Sequence, residues 1–150
     1  MKFNLNFFTM ESFDFWNTNH LKALEKIKKD NQINKYFTNL NLVFFEVNED
    51  SKLQGNYLVY LGKVNIGFIR LIENGNCLEI QYGIFEEFRR RKLSIALLNA
   101  VIDELKKYDI DKLVLYIKDD NIPSIKCANK FGFEIEKENI DEKVYSKKLR

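Results

Sequence analysis

The sequence predicts an α+β domain, a mixed central sheet of about seven strands flanked by about four helices, and three observations predict it. Between residues 57 and 85, short apolar runs alternate with turn signals at Gly62-Lys63 and Asn74-Gly75, the pattern of an antiparallel meander. The period then changes: Leu98, Val101, Ile102 and Leu105 recur three or four residues apart, as on one face of a helix. Residues 113–117, Leu-Val-Leu-Tyr-Ile, form a continuous apolar run suited to a strand covered on both faces. Strands first and a β-α-β unit later imply a sheet that is neither purely antiparallel nor purely parallel.

Residues 3–9 read as a first strand. Ser12 or Asp14 stands where a helix cap is needed, ahead of Phe15, Trp16, Leu21, Leu24 and Ile27. A second short helix covers 31–37, and strands follow at 42–47, 57–61, 64–72 and 77–85. A helix over 94–107 ends on Lys106 and Lys107, where the macrodipole favours cations. After the strand at 113–117, Asn121 caps a further helix with Pro123 in its first turn, where the missing N–H costs nothing. Lys130 closes that helix, and Gly132 supplies the left-handed residue beyond it. The last two strands, 133–138 and 143–149, join near Asn139-Ile140-Asp141. One proline, six glycines and no repeat leave no linker, so residues 1–150 are expected to form one domain.

At 45% hydrophobic and 14% aromatic, 150 residues suffice for one core and are short for two. Lys and Arg total 24 against 22 acids, and a net charge of +2 provides no global field for a nucleic acid. Asn4, Asn6, Glu11 and Asp14 come too early for a signal peptide, and no run reaches the roughly 18 apolar residues of a membrane span. A soluble cytoplasmic protein without a membrane partner is expected. Cys77 and Cys127 lack C-x-x-C spacing, which argues against a disulfide scaffold or a zinc site, and Cys127 sits among apolar neighbours as a core residue. His20, the one histidine, falls on an amphipathic helix and reads as a surface residue, leaving Ser-His and Cys-His catalysis without support.

The most informative stretch is 88–99, FRRRKLSIALLN. Arg89, Arg90, Arg91 and Lys92 crowd the start of a helix, which already carries about half a positive elementary charge and several N–H groups without acceptors. Four added cations are unfavourable there unless an anion joins them. The run therefore points either to a phosphate-binding helix start or to basic side chains fanned into water.

Two segments carry a resemblance to the GCN5-related N-acetyltransferase (GNAT) superfamily over about residues 57–149. One comprises Gly62, Ile66, Gly67 and Leu71, then Glu79, Ile80, Tyr82, Gly83 and Ile84, then the basic turn ending at Ser94. The other is Asn121, Ser124, Ala128, Lys130, Gly132 and Phe133, the more specific of the two because five of these positions match at the correct distance after a β-α-β unit. The second segment looks most like the branch that acetylates ribosomal-protein N-termini.

The resemblance implies a splayed sheet and direct transfer of an acetyl group from acetyl-coenzyme A to a primary amine, on a small molecule or a peptide N-terminus. The strand ending at Ile84 would pair with the pantetheine arm, and a donor near Gly83 or Ile84 would polarise the thioester carbonyl. Arg89, Arg90, Arg91, Lys92, Leu93 and Ser94 would hold the pyrophosphate, and Asn121 would reach the pantetheine. Ser124 would protonate the departing thiolate, while Glu79, through water, would take the amine's proton.

The chain departs from the family pattern twice. Lys92 and Ser94 stand at the small-residue positions of the turn, the first usually glycine, and Ala128 stands where many members place a tyrosine acid. A catalytically silent coenzyme-A-binding or regulatory module of the same fold is therefore the alternative. A nucleic-acid role for residues 89–92 lacks interleaved aromatics. Oligomeric state, homodimer included, stays open.

Overall fold

In the computed structural model, residues 2–37, 40, 44 and 53–150 are described. The strands are β1 (Lys2–Leu5), β2 (Phe8–Ser12), β3 (Gly55–Leu61), β4 (Val64–Asn74), β5 (Cys77–Ile84), β6 (Lys112–Lys118), β7 (Glu134–Asn139) and β8 (Glu142–Lys148). Helices α1 (Thr18–Lys29) and α2 (Asn31–Tyr36) follow β2, α3 (Leu93–Leu105) links β5 to β6, and α4 (Ile122–Lys130) links β6 to β7. One sheet of eight strands runs in the order β1-β2-β3-β4-β5-β6-β8-β7.

Period-two alternation sends each strand's residues to opposite faces of this sheet. Ile69, Leu71, Leu78, Ile80, Leu113 and Leu115 meet Leu97, Leu98, Val101 and Ile102 of α3 together with Cys127 and Ala128 of α4. On the other face Leu58, Phe68 and Phe85 meet Ala23, Leu24 and Ile27 of α1 and Ile33 of α2. Each fully buried aliphatic or aromatic side chain contributes about 1.5–3 kcal/mol relative to exposure.

Several sequence expectations need correction. The strand read over 3–9 is a hairpin, β1 and β2, broken by Asn6 in the left-handed region at φ 61°. Helix α1 begins at Thr18 with Asn17 as its cap, accepting from the Asn19 and His20 N–H groups, so Phe15 and Trp16 lie ahead of it. His20 is buried: its Nδ1 accepts the Asp14 N–H at 2.9 Å, its Nε2 lies 3.4 Å from Glu11 Oε1, and its ring stacks on Phe13. Asn121 precedes α4 but makes no side-chain capping bond. The strand expected over 42–47 lies outside the described residues apart from Phe44, which is buried. The turn after β4 uses Gly75 and Asn76 rather than Asn74-Gly75, with Gly75 at φ +62°.

The site depends on the seam between β5 and β6, the sheet's parallel pair. It holds three register pairs, Cys77↔Lys112, Leu78↔Leu113 and Glu79↔Val114. Beyond Glu79, β5 continues to Ile84 paired with β4 alone, while β6 continues to Lys118 paired with β8 alone. The two strands part, leaving backbone hydrogen-bonding groups along the gap.

At the far end of β5, β4 comes unusually close. A Cβ on Gly67 would stand 2.0 Å from the Gly83 carbonyl oxygen. Gly67→Ala is therefore expected to destabilise the fold by about 2 kcal/mol or more in urea denaturation, because a backbone atom must move. An unchanged midpoint would show that the strands part without cost.

Candidate functional site

A cleft of about 360 Å³ opens beside the parted strands, between the starts of α3 and α4. Gly83, Ile84, Arg89, Arg90, Lys92, Leu93, Ser94, Asn121 and Ser124 all contribute to its wall. Sequence segments about forty residues apart thus converge on one cavity. Arg91 is exposed and Glu79 half-buried, and neither belongs to that wall.

The turn into α3 is built from two non-glycine residues in the left-handed region, Arg90 at φ 64° and Lys92 at φ 60°. Lys92 is the residue before the helix and supplies no side-chain cap. The first backbone bond into the helix runs from Ala96 N–H to Lys92 C=O at 3.2 Å, so the N–H groups ahead of it have no helical acceptor. Those donors, the positive end of the dipole and the nearby basic side chains together form an anion acceptor on the cleft wall.

The strand gap supplies the second half of the site. Phe85 N–H turns to Ile66 C=O at 2.9 Å on the β4 side, and Gly83 carbonyl oxygen also faces β4. By alternation the backbone groups of Tyr82 and Ile84 face the gap. Of the two positions considered as oxyanion donors, Ile84 is thus the one whose N–H is aimed there. A narrower cavity continues through the gap and shares Tyr82, Asn121 and Ser124 with the cleft. Ser94 Oγ lies 3.9 Å from Cys127 Sγ behind it.

The acetyltransferase (GNAT) family model matches residues 18–133. The chain belongs to the GNAT family. It is 35% identical over 57 residues to a mycothiol acetyltransferase from Corynebacterium aurimucosum, a match spanning 38% of this chain and 19% of that protein's length. A solved acetyltransferase from Salmonella typhimurium, which modifies the N-terminal serine of ribosomal protein L7/L12, has a TM-score of 0.77 at 17% identity and covers 100% of both chains. RimL, a ribosomal L7/L12 α-N-protein acetyltransferase in complex with coenzyme A, gives 0.76 at 17% identity over 99% of this chain and 98% of that one. These likenesses establish the fold. The family's cosubstrate is acetyl-coenzyme A, and a diphosphate acceptor joined to an unpaired strand edge fits its two polar segments.

Within this GNAT site, Arg89 does something the sequence did not indicate. Its Nη2 donates to Asp30 Oδ2 at 2.6 Å, so the guanidinium is held by a carboxylate as well as standing on the cleft wall. Asp30 is buried, and its Oδ1 accepts from Gln32 and Ile33 N–H groups at 3.1 Å as the cap of α2. One carboxylate therefore ties the α1–α2 joint to the loop before α3. Lys26 of α1 adds a 2.7 Å pair to Glu87 and lies over the Phe85 and Phe88 rings. Among the described residues, no group of three His, Cys, Asp or Glu could hold a metal ion.

Glu79 occupies the last paired position before the strands part, on the sheet face opposite Leu78 and Ile80. Burial raises its carboxyl above the ordinary value, with Glu142 adding to the rise and the Gln81 hydrogen bond, 3.1 Å, and Arg70 opposing it. Tyr82 lines the cleft as well, from within the β5 motif. The available signal was its phase: Leu78, Ile80, Tyr82 and Ile84 alternate on the α3–α4 face, so this phenol was placed indoors by period alone.

Two predictions follow from these environments. A non-glycine residue in the left-handed region costs roughly 1–2 kcal/mol, part of which glycine's unfolded-state entropy offsets, so Lys92→Gly is expected to gain about 0.5–1 kcal/mol in denaturant titration. A loss instead would show that the Lys92 side chain stabilises the free turn. For Glu79, a raised folded value means its stabilising contribution is present below the ordinary 4.5 and is lost as pH rises through the raised value. Glu79→Gln keeps the neutral form throughout and is expected to melt no lower than wild type at pH 8. A clear drop at pH 8 but not at pH 4 would mean that the carboxylate stabilises the fold.

Proposed function

We propose that this protein transfers the acetyl group of acetyl-coenzyme A to a primary amine by direct attack. The observation that carries the proposal is the continuity of the cleft: an anion-accepting helix start at Arg90 to Ser94 leads into the gap between β5 and β6. The pyrophosphate binds the N–H groups opening α3, and the pantetheine amides complete the β5 edge that β6 has left. This places the thioester beside Ile84, whose N–H receives the carbonyl oxygen as charge develops. Asn121 lines the same passage and holds the pantetheine.

The acceptor arrives through the gap on the Glu79 side of the sheet. Glu79, through water, takes the proton that the amine must lose, and its raised value brings it closer to the operating pH of a base. Ser124 stands on the α4 bank as the hydroxyl that meets the departing sulfur. The ribosomal-protein acetyltransferases among the structural neighbours support the amine of a protein N-terminus as the acceptor class, with a small-molecule amine as the other, in a cytoplasmic setting.

Lys92 favours the second reading, a module that binds coenzyme A without turnover, since its left-handed backbone carries a Cβ at the phosphate turn. Calorimetric titration with acetyl-coenzyme A and thiol-release assays across an amine and N-terminal-peptide panel separate the two. Binding with thiol release is expected. Binding without release over the whole panel favours the silent module, and no binding rejects both. In the active protein Ser124→Ala should lower kcat about tenfold or more, with the KM for acetyl-coenzyme A within about twofold. An unchanged kcat would remove Ser124 from the reaction.

A further inference from the structure

The end of α2 is tied to the turn between β6 and α4 by side chains alone. Lys35 Nζ lies 2.9 Å from Asp120 Oδ2, Tyr36 Oη donates to the Asp120 carbonyl at 3.4 Å, and Lys118 Nζ donates to the Lys35 carbonyl at 3.3 Å. These contacts join two walls of the narrow passage. Tyr36 and Phe37 line it from the α2 side, Lys118 and Asn121 from the other, and Tyr36, Phe37 and Asn121 line the cleft as well. The tie therefore lies where the cleft narrows into the gap.

The passage itself has a volume of about 20 Å³. A space of about 10–15 Å³ takes one water, so a thioester and its chain do not fit until a wall moves. Two of the walls are β5 and β6, each held by its own antiparallel ladder. The tie is far weaker. The Lys35 and Asp120 side chains are 58% and 59% exposed, and the two accompanying hydrogen bonds are exposed and long. Such contacts compete with water and open at a lower free energy than buried ladders.

One side of the tie is a fixed post and the other a movable arm. Asp119 is bonded to the last hairpin, its N–H to the Asp141 carbonyl at 2.9 Å and its Oδ1 to Lys143 Nζ at 2.7 Å. α2 is pinned at its start, where Asp30 caps it and Asn34 Nδ2 donates to the Ile27 and Asp30 carbonyls at 2.8 Å. Of its six residues only Ile33 is buried. Just beyond its end, Phe37 meets Phe68 edge-on at 5.4 Å, an apolar contact that can slide without breaking a hydrogen bond. We infer that Lys35 and Asp120, with Tyr36, form a clasp that opens to pass the thioester arm of acetyl-coenzyme A into the gap between β5 and β6. This inference rests on the proposed placement of that arm and adds the element that controls its entry.

Stopped-flow rates for acetyl-coenzyme A and for its nucleotide end alone, 3′-phospho-ADP, test the clasp in wild type, Lys35→Glu, Asp120→Lys and the double variant. Both positions are exposed, so the variants are expected to melt with wild type. Changing a charge alters the steering of both anions alike, so each rate is read as the ratio of acetyl-coenzyme A to nucleotide. In either single variant the ratios for association and dissociation should both rise about fivefold, leaving relative affinity within about twofold, because entry and exit pass the same clasp. The double variant restores the ion pair with its partners exchanged and should return both ratios to within about twofold of wild type. Unchanged ratios in the single variants, or a rise that the double variant does not reverse, overturn the clasp and leave acetyl transfer standing. The expected ratios in a protein that acetylates no amine keep the clasp and reject the amine reading. No binding of acetyl-coenzyme A by wild type overturns both.

Discussion

β5 and β6 pair at three positions and then follow different neighbours, and this parting governs the functional face. β5 stays with β4 through Ile84, and β6 stays with β8 through Lys118, each by an uninterrupted antiparallel ladder. The parallel seam ends at Glu79 and Val114, while the two antiparallel ladders run on. Exposed strand edges ordinarily invite another strand. Here the opening is flanked by the starts of α3 and α4.

The loop before α3 is held in a costly geometry by contacts made elsewhere. Arg90 and Lys92 take left-handed backbone angles that their side chains disfavour. The Arg89–Asp30 pair and the Lys26–Glu87 pair anchor that loop to the α1–α2 joint from behind. Because Asp30 also caps α2, the helices on one sheet face and the turn into α3 share a common support. Local strain near a binding turn, balanced by a buried ion pair outside it, is the arrangement expected where function and stability compete.

Much of the fold was legible because its signals are local. The 3.6-residue period of Leu98, Val101, Ile102 and Leu105, the continuous run at 113–117 and the Pro123 start of α4 each indicated an element that is present. The N-terminal hairpin was not legible, since Asn6 alone marks the turn and no glycine or proline accompanies it. The start of α1 is ambiguous in the sequence because Ser12, Asp14 and Asn17 are all competent caps. The choice fell to Asn17 because β2 runs through Ser12, paired with Tyr57. His20 was read as surface from its helix alone, yet the loop carrying Asp14 and the strand carrying Glu11 enclose it.

By itself the sequence determined the order of the β-α-β unit and the cluster of cations at a helix start, because periodicity, turn chemistry and charge density act between neighbours along the chain. Tertiary structure alone decided that Arg89 pairs with Asp30, and that Tyr82, Asn121 and Ser124 line one narrow passage between the parted strands. Asp30 and Arg89 are 59 residues apart in the chain, and no local rule pairs them. Their meeting, like the parting of β5 and β6, is settled by which faces the sheet and helices must bury, and that is a property of the packed whole.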